Sequence, residues 1–559
     1  MPHLILSNCC NDASCVPVCP VDCIHPTPDE PDYQRAEMLY IDPDVCIDCG
    51  ACIPACPVGA IIPDTELGPR DEQYLKLNAD YYTATGSAAD RQSEWADPLA
   101  GQHPAAPDAE PLRVAVVGGG AAGHYTAAAL LDRVDVRARV DIFERLCTPG
   151  GLVRFGVAPD HLATKRVLDN FTATRRRSGV RTFFNTEVGR DITHEELAER
   201  YHAVVYAVGA IEGRSSGLSG ENLHNSASAA EFVAWFNGHP EFADASFDLS
   251  HERVVVLGNG NVALDVARIL TTDPDDLAET DIADHALNAL RGSRVREVIL
   301  VARRGPEYAA FTSPELLGLM SSTSVALVVD PSDLESANTA VTNDELERYY
   351  QDQKLALLGE IASKGTPPGD PRRIVFKFGA TPTLILGENA VTGVRVVSRG
   401  TEATIDCGLV LRAVGFRGSA VDGVPYDDDA GIIPNDGGRV IDPERGGTVA
   451  GVYATGWIKR GSTGGIGANK ACANATVAAI VEDFEHGRLS ATNDPDDLVG
   501  RLDRSFNDVG AQAIDDYEIQ AGTRVQRPRV KIVDQAHLIS IGLTAGREQG
   551  ALPTSLRGK

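Results

Sequence analysis

The most regular stretch of the chain begins at Leu112. LRVAVV is an apolar run, GGGAAG breaks it, HYTAAALLDRV follows with helical spacing, and VRARVDIFE returns to a strand pattern. Apolar runs separated by glycine turns and helices predict parallel strands buried on both faces. The same order recurs in RVVVLGNGNVALDVARIL (253–270) and VREVILVARRG (295–305). Two such βαβ starts predict two doubly wound α/β domains. Three further apolar runs close alike, in YAVG (206–209), RAVG (412–415) and YATG (453–456), each placing a glycine where a strand meets a ligand crevice. No repeat of fixed period is present.

The first 110 residues read differently. Residues 1–63 form a cysteine-rich head, and 64–110 change to Asp, Ala, Pro, Gly and Ser with little periodicity. That composition predicts a linker, with one short helix around Tyr74–Tyr82. A length of 559 residues is too great for one core and fits three or four domains. No apolar run approaches the roughly 18 residues of a membrane span, and MPHLILSNCC has no basic n-region or long apolar stretch. A cytoplasmic protein without a membrane span is expected.

Nine of the twelve cysteines lie in the first 56 residues. Clustering of this kind in a reducing compartment reads as metal binding, not as a disulfide scaffold. CIDCGACIPACP (46–57) is a complete C-x2-C-x2-C-x3-C-P run through Cys46, Cys49, Cys52 and Cys56. CCNDASCVPVCP (9–20) matches it at Cys9, Cys15 and Cys19, with Asp12 in the second cysteine position. Such paired runs hold two iron–sulfur clusters, and the fourth cysteine of each run ligates the other cluster. One cluster then takes Cys46, Cys49, Cys52 and Cys19, a [4Fe–4S] site. The other takes Cys9, Cys15 and Cys56, with Asp12 facing its fourth iron. A carboxylate is a harder and weaker ligand for this iron than a thiolate, so two states are open. Either Asp12 holds the corner iron in [4Fe–4S], or the corner is lost in [3Fe–4S], the state favoured here. Cys10 is an alternative ligand whose side chain is expected to point away from that of Cys9, and Cys23 has no ligand slot.

Charge supports an electron carrier at this end. The net charge of −28 argues against nucleic acid as a partner. Residues 1–110 carry 19 Asp/Glu against 4 Lys/Arg, an acidic face suited to basic docking surfaces.

GGGAAG places Gly118, Gly120, Ala122 and Gly123 between a strand and a helix, and Glu144 ends the next strand about 20 residues on. The glycines admit a pyrophosphate to the helix N-terminus and the acid takes ribose hydroxyls, as for FAD or NAD. GNGNVA (258–263) repeats the device at Asn259, Gly260, Asn261 and Val262, but its next strand ends in Arg303 and Arg304. Two guanidiniums there suit a 2′-phosphate and predict NADPH over NADH. Between motif and arginines lies a longer gap than usual, filled by the polar insert TTDPDDLAETDIADHAL. GWIKRGSTGGIGANKACAN (456–474) is a glycine-rich turn into a helix, whose N-terminus suits the electron-rich end of a reduced flavin.

GGLVRFGVAPDH (150–161), GNGNVALDVARIL, ARRGPEYAAFTSPEL (302–316) and GWIKRGSTGGIGANKACAN together resemble the adrenodoxin-reductase-type ferredoxin–NADP reductases over residues 111–559. The head resembles the bacterial two-cluster ferredoxins, and the whole resembles a natural fusion of the two. This implies a glutathione-reductase-like α/β flavoprotein with two dinucleotide-binding domains and an N-terminal α+β ferredoxin domain. The FAD domain would be discontinuous, 111–210 and 418–559, with the NADP domain at 211–417. The resemblance implies FAD contacts at Ala122, Glu144, Leu152, Val188, Trp457, Gly464, Gly465 and Ile466. It implies NADP contacts at Asn259 to Val262, Arg303, Arg304, Glu315 and Gly464. His161 and Asp265 match polar residues near the flavin–nicotinamide site and are the candidate catalytic residues. Gly465 stands where the family commonly has valine, and IEGRSSGLSGEN (211–222) departs from the family's wording.

The expected activity is transfer from NADPH through FAD to the clusters, and on to an external acceptor such as a cytochrome P450 or another ferredoxin-dependent enzyme. NADPH gives two electrons at once and a cluster takes one; a flavin does both. The alternative reading is an electron-input subunit of a larger complex, like the small subunit of glutamate synthase. A flavin disulfide reductase is set aside because no CxxC or CxxxxC follows residue 56.

Overall fold

A computed structural model describes residues 2–68, 71–91, 104–106, 110–321, 325–335, 337, 342, 344–365, 372–491 and 493–548. The chain divides into two compact units. The first comprises Met1–Trp95, Ala158–Thr164 and Gly213–Gly415; the second comprises Ala96–Val157, Lys165–Glu212 and Phe416–Lys559.

In the second unit a seven-stranded sheet carries Leu112–Val117 near its middle, flanked by Ala203–Tyr206 and Ala138–Glu144. Val180–Phe184 extends one side, and Thr448–Ala454 the other, all five strands running parallel. Helices Ala121–Asp132 and Ala468–Glu485 cover one face, where Val114, Val116, Leu130, Ile142 and Ile480 are buried. Val117, Phe143, Tyr206 and Ile458 fill the other side. Two C-terminal helices, Asp508–Thr523 and Gln535–Glu548, pack around Phe506. Their close approach requires Gly542, where a Cβ would lie 2.6 Å from the Phe506 ring.

The larger part of the first unit contains a six-stranded parallel sheet. Its order is Ser226–Ser228, Leu409–Arg412, Arg253–Leu257, Glu297–Val301, Arg373–Lys377 and Ala326–Val329. Helix Asn261–Thr271 lies over it with Leu264, Val266, Ile269 and Leu270 buried. The stretch read as a polar insert is not a surface loop. It forms Pro274–Leu277 and the amphipathic helix Asp284–Arg291, and sinks Leu277, Ile282, Ala286, Leu287 and Leu290 into the core. The apolar positions were sparse enough to be hidden by the intervening acids.

The head has two small antiparallel pairs, His3–Ile5 with Ile61–Pro63 and Ile24–His25 with Tyr40–Ile41. The segment after residue 63 differs from the linker expectation over its first half. Helix Glu72–Thr85 runs past both ends of the expected Tyr74–Tyr82 helix and is packed against the head through Tyr74, Leu77, Tyr81 and Tyr82. Tyr81 stacks on Tyr40 at 4.1 Å, and the Tyr82 hydroxyl has the carbonyl of Tyr40 at 2.7 Å and that of Cys23 at 3.0 Å as acceptors for its one proton. Residues 92–103 and 107–109 of the expected linker lie outside the described residues.

Asn78 explains why this helix belongs to the head. Its amide oxygen accepts the N–H of Ile5 (3.2 Å) and Ile41 (3.0 Å), one from each strand pair, and its amide nitrogen donates to Ile5 O (3.0 Å). Asn78 is buried, so removing it strands backbone groups away from water. Asn78→Leu is expected to cost about 3 kcal/mol of head stability. Iron retained per chain on mild heating measures this; wild-type retention would contradict it.

Candidate functional site

The head gathers its cysteines into two groups. Cys9, Cys10, Asp12, Cys15 and Cys56 line one concavity. Cys52 feels the charges of Cys19, Cys46 and Cys49. The fourth cysteine of each run thus stands with the first three positions of the other run. Seven thiols converging in this way fit two clusters by donor chemistry. Two further cysteines stand near these groups. Cys10 lines the same concavity as Cys9 instead of turning away. Cys23 lies with its sulfur 3.4 Å from that of Cys19, beside the second group. Asp12 is buried, and its carboxylate accepts the Ser14 N–H (3.1 Å) and hydroxyl (2.6 Å), one bond to each oxygen.

The first glycine turn is built for close approach. Gly118 sits at φ 113°, where a Cβ would lie 2.5 Å from the Ala207 carbonyl oxygen, and a Cβ on Gly123 would lie 2.0 Å from that of Gly118. The helix it opens begins after Gly120 with no side chain capping it, which leaves its first N–H groups for a ligand. Glu144 faces this turn and accepts the N–H of Gly119 (2.7 Å) and Leu146 (2.8 Å). Burial raises its pKa and those N–H groups oppose the rise. Each oxygen keeps a lone pair for a ribose hydroxyl, so the cradle fits a dinucleotide such as FAD.

Other expected flavin residues lie in the same unit. Leu152 opens the short helix Leu152–Phe155, and Val188 packs against the Phe143–Tyr206 core. Ala122 lies under Gly456, where a Cβ would approach it to 2.6 Å. Trp457 donates from its ring nitrogen to the carbonyls of Thr463 (3.1 Å) and Gly464 (3.2 Å). Gly464 and Gly465 are exposed, and Ile466 is half-buried just before helix Ala468–Glu485.

The second turn repeats the first. Gly258 is at φ 132°, a Cβ there would lie 2.3 Å from Ala413 O, and Gly260 starts helix Asn261–Thr271 without a side-chain cap. Val262 packs on the core, and Asn259 lies in the turn itself. Arg303 and Arg304 are exposed just beyond strand Glu297–Val301, and neither makes an ion pair with a described residue. Arg304 lies over the Tyr308 ring at 5.0 Å. An exposed cationic pair at the end of this strand fits a phosphate of NADP(H).

His161, Asp265 and Glu315 come together within the first unit, each offering a ligand atom within 4.8 Å of the others. The group between them was not anticipated. Arg268, buried, donates to Asp160 (2.8 and 3.1 Å), Asp265 (2.6 Å) and Glu315 (2.9 Å). Its presence makes the cluster a guanidinium network and draws residues 158–164, expected with the flavin domain, into the first unit. The position, one turn after Asp265 on an amphipathic helix, was the available signal, but nothing in a sequence marks that arginine as buried. Burial is the largest influence on Asp265 and raises its pKa to about 6, against the opposing charge of Arg268. Asp160 is held low despite burial, because Arg268 faces it.

The 4Fe-4S binding domain family matches residues 39–62, and the pyridine nucleotide-disulphide oxidoreductase family matches residues 112–306. A probable ferredoxin/ferredoxin–NADP reductase of Mycobacterium leprae is 46% identical over 567 residues, covering 100% of both chains. The chain belongs to the ferredoxin/ferredoxin–NADP reductase family. The NADPH-ferredoxin reductase FprA of Mycobacterium tuberculosis is 40% identical over 464 residues, 78% of this chain and 99% of its own. The solved structure of that FprA in complex with NADPH aligns with a TM-score of 0.72, over 78% of this chain and 100% of its own. Within this ferredoxin/reductase framework the 4Fe-4S match takes in the complete motif, Cys46–Cys56, and stops short of the run that carries Asp12. As in the family, an oxidoreductase part that binds FAD and NADP follows an iron–sulfur part.

A carboxyl whose folded pKa is raised contributes stability fully present below its unfolded value, and that contribution is lost as pH rises through the folded pKa, here about 6. Asp265→Asn removes this loss. The variant should gain thermal stability over wild type between pH 5 and pH 7, on the order of 1 kcal/mol. A stability difference independent of pH would contradict the assignment.

Proposed function

We propose that this chain carries electrons from NADPH to FAD, from FAD to its own iron–sulfur head, and from the head to an external redox protein. The observation that carries the reading is the presence in one chain of two converged thiol groups and two uncapped glycine turns. Family membership over the full length supports it. A bound flavin supplies the conversion of a two-electron donor into one-electron steps. The residues of the chain supply binding and orientation. Gly118, Gly120, Gly123 and Glu144 hold the flavin dinucleotide, with Ala122, Leu152, Val188, Trp457 and Gly464 to Ile466 along it. Gly260 and Asn259 to Val262 hold the NADP pyrophosphate, and Arg303 with Arg304 take its 2′-phosphate. His161 and Asp265, the catalytic candidates, form with the NADP-contact candidate Glu315 a polar group tied by Arg268, a positioning set for the nicotinamide.

In the head, Cys46, Cys49, Cys52 and Cys19 hold a [4Fe–4S] cluster, and Cys9, Cys15 and Cys56 hold the second. For the second we favour [3Fe–4S]. Asp12 lines its concavity, and a carboxylate is a harder and weaker ligand for this iron than a thiolate, which disfavours capture of a fourth iron. The acidic head suits an acceptor with a basic docking face, a cytochrome P450 or another ferredoxin-dependent enzyme. Its nine cysteines, all without disulfides, suit the cytoplasm. Among the described residues no helix is long and apolar enough to cross a membrane. A head folded onto the same chain favours a self-contained reductase over an input subunit of a larger complex.

Anaerobic protein, with iron counted against FAD and EPR recorded before and after NADPH, tests both readings. The expected result is about seven irons per FAD, an oxidised three-iron signal, and reduced-cluster signals after NADPH. NADH should reduce the clusters far less readily, with Arg303→Ala narrowing the gap. About eight irons without the three-iron signal would overturn the second-cluster reading. Flavin bleaching by NADPH with clusters left oxidised would overturn the electron path.

A further inference from the structure

The head does more in the first unit than carry clusters. The side chain of Glu37, on the head, is 7% exposed and paired at 2.9 Å with that of Lys354, itself 12% exposed, on helix Glu345–Lys364. Its other carboxylate oxygen accepts the backbone N–H of Ser313 at 2.6 Å. Ser313 is the first residue of helix Ser313–Met320, so this N–H is one that no intrahelical carbonyl can satisfy. A carboxylate there is favoured by both hydrogen bonding and the helix dipole. Glu37 is held in place in turn, because its own N–H donates to the Tyr350 hydroxyl at 3.2 Å.

The residue before Ser313 reaches the second glycine turn. Thr312 donates its N–H to Oδ1 of Asn261 at 2.8 Å, and Asn261 donates from Nδ2 to the Thr312 hydroxyl at 3.2 Å. Asn261 is the first residue of helix Asn261–Thr271, immediately after Gly260. Two residues on from Ser313, Glu315 holds Arg268. Adjacent residues therefore do two jobs: Ser313 is gripped by the head, and Thr312 grips the nucleotide turn.

We propose that Glu37 is a positioning residue for the nucleotide site, so that the docked iron–sulfur head helps set the affinity for NADP(H). Glu37 fixes the start of helix Ser313–Met320, and that start fixes Asn261 and Glu315. The inference rests on the reading that residues 258–262 bind NADP(H). Coupling of this kind is reciprocal, so bound nucleotide strengthens the head's attachment by the same factor. The rim of the same contact gives a control. Arg35 and Asp344 pair at 2.7 Å but are 45% and 37% exposed and touch neither Thr312 nor Ser313; such a surface pair contributes little.

Calorimetric titration of NADP+ into the full, cluster-replete chain tests this, with iron per chain measured on each sample. Glu37→Gln should raise the Kd about tenfold, the effect of losing one charge-assisted hydrogen bond, while Arg35→Ala stays within twofold. Lys354→Met, which leaves the head's sequence untouched, should shift Kd in the same direction. Wild-type affinity in both Glu37→Gln and Lys354→Met would overturn the proposal, as would an equal loss in Arg35→Ala. Binding is read apart from turnover. Wild-type protein that binds NADP+ yet never reduces its clusters would refute the electron path, while the Kd shift would still support Glu37.

Discussion

Helix Glu72–Thr85 is the element on which the head depends. A domain of some 60 residues buries little apolar surface and is marginal on its own core, and much of this head's interior is given over to cysteines. The helix supplies what is missing. Asn78 ties both strand pairs through their backbones, and Tyr81 and Tyr82 add aromatic area against Tyr40. The same helix also meets the nucleotide-binding part: the Tyr349 hydroxyl donates to Leu77 O, and the Tyr74 hydroxyl donates to Pro314 O. One helix therefore completes the head and fastens it to the nucleotide-binding sheet.

That attachment changes what the fusion means physically. A head on a free tether meets its electron donor at an effective concentration set by linker length. A head fastened through Glu37, Tyr74 and Tyr349 to the nucleotide-binding fold has much of its orientational entropy removed before any electron moves. The two glycine turns are rigid for a related reason, since close backbone approach at Gly118 and Gly258 leaves no room for a side chain. The polar group around Arg268 is rigid by charge: three carboxylates share one buried guanidinium, and burial raises the pKa of Asp265 against the opposing charge of Arg268.

Much of this was legible in the sequence. Continuous apolar runs ending in glycine gave the parallel strands of both sheets, because burial on both faces leaves a period-free signature that few other arrangements share. The cysteine spacing gave the two groups and their exchange of fourth cysteines, since that spacing is itself the geometry of the site. What was hidden had a common character. Asn78, Arg268 and Glu37 are polar residues whose importance comes from burial and from distant partners, and composition presents each as an ordinary surface residue. The stretch after residue 63 read as linker because its glycines, alanines and acids outnumber its tyrosines. The insert after Thr271 read as polar because its buried leucines are spaced among aspartates.

The central claim is that the head is reduced inside the molecule that binds the nucleotide. Stopped-flow mixing of anaerobic protein with excess NADPH, followed at cluster absorbance over a hundredfold range of protein concentration, tests it most directly. A cluster-reduction rate constant that does not change with protein concentration is the predicted result. A rate constant that rises in proportion to protein concentration would show electrons passing between molecules and would contradict the account.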